Sequence, residues 1–114
     1  MLTIDFAGTL CPINQKYISR NFALSQKYRD FKNEFAVAAH NAIVKQNWEY
    51  VQKPDTVSIG WNIWTMRGDI DAYFKPAMDA LNGLVYEDDS QVKEFTRVIL
   101  RKGSPRIIME IRRL

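Results

Sequence analysis

Residues 67–91 read R-G-D-I-D-A-Y-F-K-P-A-M-D-A-L-N-G-L-V-Y-E-D-D-S-Q, and no other stretch restricts the fold so tightly. Asp69 and Asp71 open it, two residues apart, and the triplet Glu87, Asp88, Asp89 closes it. Between them Phe74, Ala77, Met78 and Leu81 recur at helical spacing. A helix of about ten residues is roughly 15 Å long, so a turn after it can return the second acidic cluster towards the first. Converging carboxylates repel one another. They persist in one place only where a cation neutralises them or where they stay in water. With a net charge of +3 on the chain as a whole, the reading that fits is a cation.

Length and composition narrow the rest. The 114 residues suit one domain, 1–114, and 46% apolar residues are enough to fill a core. No apolar run approaches the roughly 18 residues that span a bilayer, and the first ten residues lack the basic start and apolar stretch of a signal peptide. A cytoplasmic protein is expected. Cys11 is the single cysteine, which excludes an intrachain disulfide and a cysteine-based zinc site. Charge is unevenly spread. Residues 69–94 carry seven acids against Lys75 and Lys93, whereas residues 97–114 carry six bases against Glu110. An acidic centre flanked by basic segments suits a polyanionic substrate with a metal where the chemistry occurs.

In chain order, Leu2, Ile4 and Phe6 alternate with smaller or polar residues and predict a strand ending at Gly8. Residues 9–24 show no period and read as a long loop, either contacting nucleic acid through its cations, amides and aromatics or held to the core by its aromatics. Ser25 is a candidate N-cap. From it to about Trp48 the spacing of Tyr28, Phe31, Phe35, Ala38, Ala42 and Ile43 predicts one long amphipathic helix. Lys27, Arg29 and Lys32 near its start read as a solvated face, with phosphate contact as the alternative. His40 has no second histidine or cysteine nearby and is not read as a ligand. Residues 56–66 are rich in β-branched and aromatic residues and predict a strand, whose exposed face is one candidate contact surface. Pro76 implies a helix that starts just before it or has an irregular first turn, and Gly83 suits the left-handed residue at its end. Residues 92–100 and 106–111 predict two strands joined as a hairpin through 102–105, with Ile107, Met109 and Ile111 facing the core. The order β-α-β-α-β-β predicts an α+β fold, one mixed sheet with two helices packed on a face.

Asp69 and Asp71 share a face if the chain is still extended there. Hard oxygen ligands suit Mg²⁺, with Mn²⁺ possible in its place. Lys75, one turn beyond Asp71, is placed to orient water or neutralise developing charge. Taken singly, Asp69 and Asp71 are equally explained as helix caps, and Asp88 and Asp89 as a solvated turn. The argument for a site is their combination with Lys75 and the basic flanks.

The stretch D-I-D-A-Y-F-K-P-A-M-D-A-L-N-G-L-V-Y-E-D-D-S-Q-V resembles the signature of the RusA family of Holliday junction resolvases: D-x-D-N-x-x-K, a helix of the D-A-L type, then D-D-x-Q-V. The N-terminal part is similar too, through Pro12, Asn14 and Lys16 and through S-Q-K-Y-R-D from Ser25. The asparagine usual after the second aspartate is Ala72 here, and Pro76 directly after Lys75 is unusual. The resemblance implies a metal-dependent endodeoxyribonuclease, often phage- or prophage-encoded, that acts as a homodimer on four-way DNA junctions in recombination and repair. It implies Asp69, Asp71 and Asp89 as metal-binding acids, Asp88 as the adjacent acid and Lys75 as the catalytic lysine. Charge position adds Lys16, Arg20, Arg67, Arg101 and Lys102 as candidate DNA contacts. Two other readings stand beside it: a branched-DNA-binding protein that keeps the fold without the activity, and a metal-dependent hydrolase of another substrate. The last leaves the basic C-terminal segment unexplained.

Overall fold

In the computed structural model, residues 1–13, 25–66 and 70–114 are described. Elements follow in the expected order: β1 (Leu2–Ala7), α1 (Gln26–Gln46), β2 (Val57–Trp64), α2 (Phe74–Ala80), β3 (Val92–Arg101) and β4 (Arg106–Arg113). The described strands form one mixed sheet in the order β1-β4-β2-β3. β4 runs antiparallel to both neighbours, and β2 runs parallel to β3.

α1 begins where its cap predicts: the Ser25 hydroxyl accepts from the Tyr28 N–H at 3.1 Å. Its buried stripe is Tyr28, Phe31, Phe35 and Ala39, with Ala38, Ala42 and Ile43 packed alongside. Phe6 of β1 meets Phe31 and Phe35 edge-on, with centroids 5.7 and 5.4 Å apart. At the other end of α1, the Gln46 amide donates to the Thr3 carbonyl at 2.7 Å and accepts from its N–H at 2.8 Å. That side chain occupies backbone groups on the outer side of an edge strand, which otherwise invite pairing with another chain.

The helix-bearing face of the sheet is the core. Leu2, Ile4, Val57, Ile59, Trp61, Ile63, Ile107, Met109 and Ile111 are all fully buried there. The opposite face carries no helix among the described residues. Pairing registers place Thr3, Asp5, Asn62, Trp64, Glu94, Arg97, Arg101, Arg106, Glu110 and Arg112 on it.

Two expectations change. β3 and β4 are not a hairpin: each pairs with β2, which lies between them. Four residues reach across two strand spacings of about 4.8 Å each without difficulty. The connection crosses the end of β2 at Trp64, where a Cβ on Gly103 would come within 3.2 Å of the indole Cδ1. The physical reason is burial. β2 is buried from Val57 to Trp61 and needs a neighbour on each side, and β4 brings three fully buried side chains, whereas β3 is largely exposed and suits an edge. For the same reason β2 offers little exposed face, only the half-buried Asn62 and Trp64.

Candidate active site

Pro76 shapes the approach to the site. The chain enters as a 3-10 turn over Ile70–Tyr73, and α2 follows with Pro76 in its first turn, where a missing N–H costs nothing. The helix start and the irregular turn expected from Pro76 thus both occur. Asp71 lies exposed in the 3-10 turn, so the chain is not extended at that residue. α2 ends at Ala80 with Leu81 as its C-cap, and Gly83, with φ +79°, turns the chain back, its N–H donating to the Tyr86 carbonyl at 2.8 Å.

That reversal brings the second acidic cluster to the middle of α2. Lys75 Nζ bonds Asp89 Oδ2 and lies 3.1 Å from Asp79 Oδ1. The Tyr28 hydroxyl donates to Asp79 Oδ2 at 3.2 Å, which ties the start of α1 to the site. The Asp89 hydrogen bond holds the Lys75 ammonium above its ordinary pKa; burial opposes it, and the Asp79 hydrogen bond adds to the rise. Beneath them Tyr86 is buried, its hydroxyl donating to the Met78 carbonyl at 2.9 Å. Burial first, and then the negative field of Asp89, Asp79 and Asp88, pushes that phenol far up, so it stays neutral.

The turn carrying Asp89 is itself braced. Asp88 caps the 3-10 turn Asp89–Gln91, accepting from the Ser90 N–H at 3.0 Å, and bonds from Ser90 hold its carboxyl below the usual range. Gln91 completes a capping box by accepting from the Asp88 N–H at 2.9 Å. Its amide nitrogen donates to the carbonyls of Val51 at 3.1 Å and Asp55 at 3.0 Å.

The structure therefore brings together Lys75 and Asp89 from the expected set and sets Asp88 beside them as a cap. Arg101 and Lys102 are exposed at the end of β3, the Arg101 guanidinium 5.8 Å from the Trp64 ring centre. Asp69, Arg67, Lys16 and Arg20 lie outside the described residues, as does most of the 9–24 loop. Sequence reasoning passed over Asp79 and Tyr28. The i, i+4 spacing from Lys75 is a signal for Asp79; the spacing of Tyr28 marks only the apolar stripe of α1. Among the described residues no group of three or more His, Cys, Asp or Glu converges closely enough to hold an ion. The donor chemistry nevertheless fits a hard one. The site offers carboxylates, while His40 is exposed on α1 and Cys11 is buried with its thiol pushed up by desolvation.

The sheet thus carries a lysine-bridged acidic centre on one side and an arginine-bearing open face on the other. Residues 10–112 match the family model described as Endodeoxyribonuclease RusA, and the chain belongs to that family. Comparison with curated proteins gives no match. The family is one of Holliday junction resolvase endonucleases, acting on branched DNA and dependent in general on divalent metal ions. No helix among the described residues is long and apolar enough to cross a membrane.

Proposed function

We propose that this protein is a Mg²⁺-dependent endonuclease that resolves four-way DNA junctions as a homodimer by paired, symmetric nicks. The observation that carries the reading is the convergence of Lys75 and Asp79, from the middle of the acidic stretch, with Asp89 from its end. Asp69, Asp71 and Asp89 would hold the ion, which when bound supplies Lewis-acid stabilisation of the phosphodiester and activation of water. Asp88 serves by fixing the turn that presents Asp89. Lys75 stays protonated at neutral pH and gives its N–H groups to negative charge developing at the phosphate. Asp79, anchored by Tyr28, keeps the lysine stem in place.

A duplex laid along β3, the edge strand among the described residues, would reach Asp89 on one side of the sheet and Arg101 on the other, with Lys102 just beyond the strand end. Lys16, Arg20 and Arg67 extend the same phosphate footprint. A junction has near two-fold symmetry, and a C2 dimer presents two matched sites to it.

The test is cleavage of a synthetic four-way junction with Mg²⁺ and with chelator, beside Asp71→Asn. Paired nicks that require both the metal and Asp71 are expected. One observation favours a second reading: the Lys75 ammonium already bridges Asp79 and Asp89 and offsets one of their two charges. Tight junction binding with no cutting at any metal concentration would establish a branched-DNA-binding module instead.

A further inference from the structure

β3 is irregular in a way that sorts its side chains. Its register against β2 shifts twice, between Val57 and Ser58 and between Ile59 and Gly60. Val92 pairs with Val57 but Glu94 with Ser58, leaving Lys93 as an extra residue; Phe95 pairs with Ile59 but Arg97 with Gly60, leaving Thr96. Side chains alternate strictly along a strand, so each extra residue flips everything after it to the other face. Without the first irregularity Phe95 would lie on the open face. With it, Phe95 shares the helix side with Ile59, and the second irregularity returns Arg97 to the open face.

On the helix side Phe95 is gripped but not covered. Its ring stands nearly perpendicular to Trp61, at 5.6 Å and 77°, and to Phe74, at 5.0 Å and 68°. It remains 39% exposed. The exposed part lines a groove of about 300 Å³ whose other walls are Met78, Asp89, Val92, Lys93 and Glu94. The groove thus holds, side by side, Asp89 of the candidate active site, a second acid in Glu94, an aromatic ring packed between Trp61 and Phe74, and a lysine on a bulge. Bulges next to active sites commonly re-aim a side chain. An aromatic ring beside a cation is the combination that holds a nucleotide by base stacking and phosphate attraction without reading its sequence.

We infer that this groove is a nucleotide subsite: Phe95 stacks on a base next to the cleaved phosphate, and Lys93 contacts the adjoining phosphate. The inference rests on the nuclease reading for its substrate. It adds a substrate-holding residue from β3, outside the acidic stretch and the lysine. A stacked base fixes the strand relative to Asp89, so it acts on positioning rather than on bond breaking.

The test uses a four-way junction carrying 2-aminopurine beside the branch, titrated in chelator so that no cleavage is needed. Binding of the wild type should quench the probe as its base stacks. Phe95→Ala and Phe95→Leu should both lose the quench and bind about five- to a hundredfold more weakly, the range that one base–aromatic stack contributes. Phe95→Trp should keep it. The leucine variant retains apolar packing against Trp61 and Phe74, so its loss cannot be assigned to misfolding. Unchanged quench and affinity in Phe95→Leu overturn the inference. So does a sedimentation shift from dimer to monomer in Phe95→Leu with the quench per bound protomer intact, which would mean that a second copy covers the ring. A wild type that quenches the probe but never cuts with metal keeps the subsite and removes the nuclease; one that cuts without quenching does the reverse.

Discussion

Single residues show how local chemistry reaches across the open face. Arg106 donates through Nε to Asp5 Oδ1 at 2.9 Å and through Nη2 to Asp5 Oδ2 at 2.6 Å, and its guanidinium lies 5.3 Å from the centre of the Trp64 ring. With Arg101 on the same indole, the series Asp5, Arg106, Trp64, Arg101 spans every strand of the sheet. The hydrogen bonds from Arg106 hold the Asp5 carboxyl below its ordinary value of 3.8. A carboxyl whose folded pKa is depressed stabilises the fold above its unfolded pKa, and that contribution is lost as pH falls through the lower folded value. Asp5→Asn is therefore expected to lower the melting temperature slightly at pH 7, because both groups are exposed. The two proteins should converge in acid below the depressed pKa. Thermal melts across pH 2–7 check this. A difference that persists unchanged at the acid end would assign the effect to packing rather than to the ion pair.

Elements were legible where a local rule decided them. α1 announced itself by Ser25 and by three- and four-residue spacing, and β2 by its β-branched and aromatic run. The pairing of β3 and β4 was not legible. Turn chemistry at residues 102–105 states that the chain reverses there, but not whether the two strands touch or straddle a third. Only the burial of β2 from both sides settles that, and burial is a tertiary property. The D-D-x-Q turn was legible as a motif while the work of its glutamine was not. Gln91 is 3% exposed and joins the cap of Asp88 to the carbonyls of Val51 and Asp55. Gln91→Ala removes the side-chain donor to the Asp55 carbonyl and one of two donors to that of Val51, which also accepts from the Glu87 N–H at 3.3 Å, and is expected to cost about 1–3 kcal/mol of stability. Because the same turn carries Asp89, cleavage should fall more steeply than the folded fraction does at the same temperature. Denaturant titration beside single-turnover cleavage separates the two. A loss of activity that merely tracks unfolding would remove the turn from the positioning of Asp89.

For the whole molecule, the two faces of β3 differ in what they carry. The bulges send Phe95 towards Asp89 and keep Arg97 and Arg101 on the open face, so on the proposed reading a polyanion along this edge would meet arginines on one side and the acidic centre on the other. Of the trio that the structure assembles, Lys75 and Asp89 were legible in order along the chain and Asp79 was not. Assembly of the trio needed the reversal at Gly83 and the hydrogen bond from Tyr28 of α1, 51 residues away in sequence. The division of faces sets a measurable expectation for salt. Each phosphate neutralised on duplex DNA contributes about −0.9 to the slope of log K against log salt. If Arg97 and Arg101 each meet one phosphate, Arg97→Gln with Arg101→Gln should flatten the slope by roughly 1.8 per protomer and weaken binding of all duplex arms alike. Arg106 is committed to Asp5 and should contribute less when replaced alone. Junction affinity measured from about 50 to 200 mM salt decides it. A weaker affinity with an unchanged slope would mean that these arginines support the fold or a protein interface, and the duplex would then have to be placed on the helix side of the edge alone.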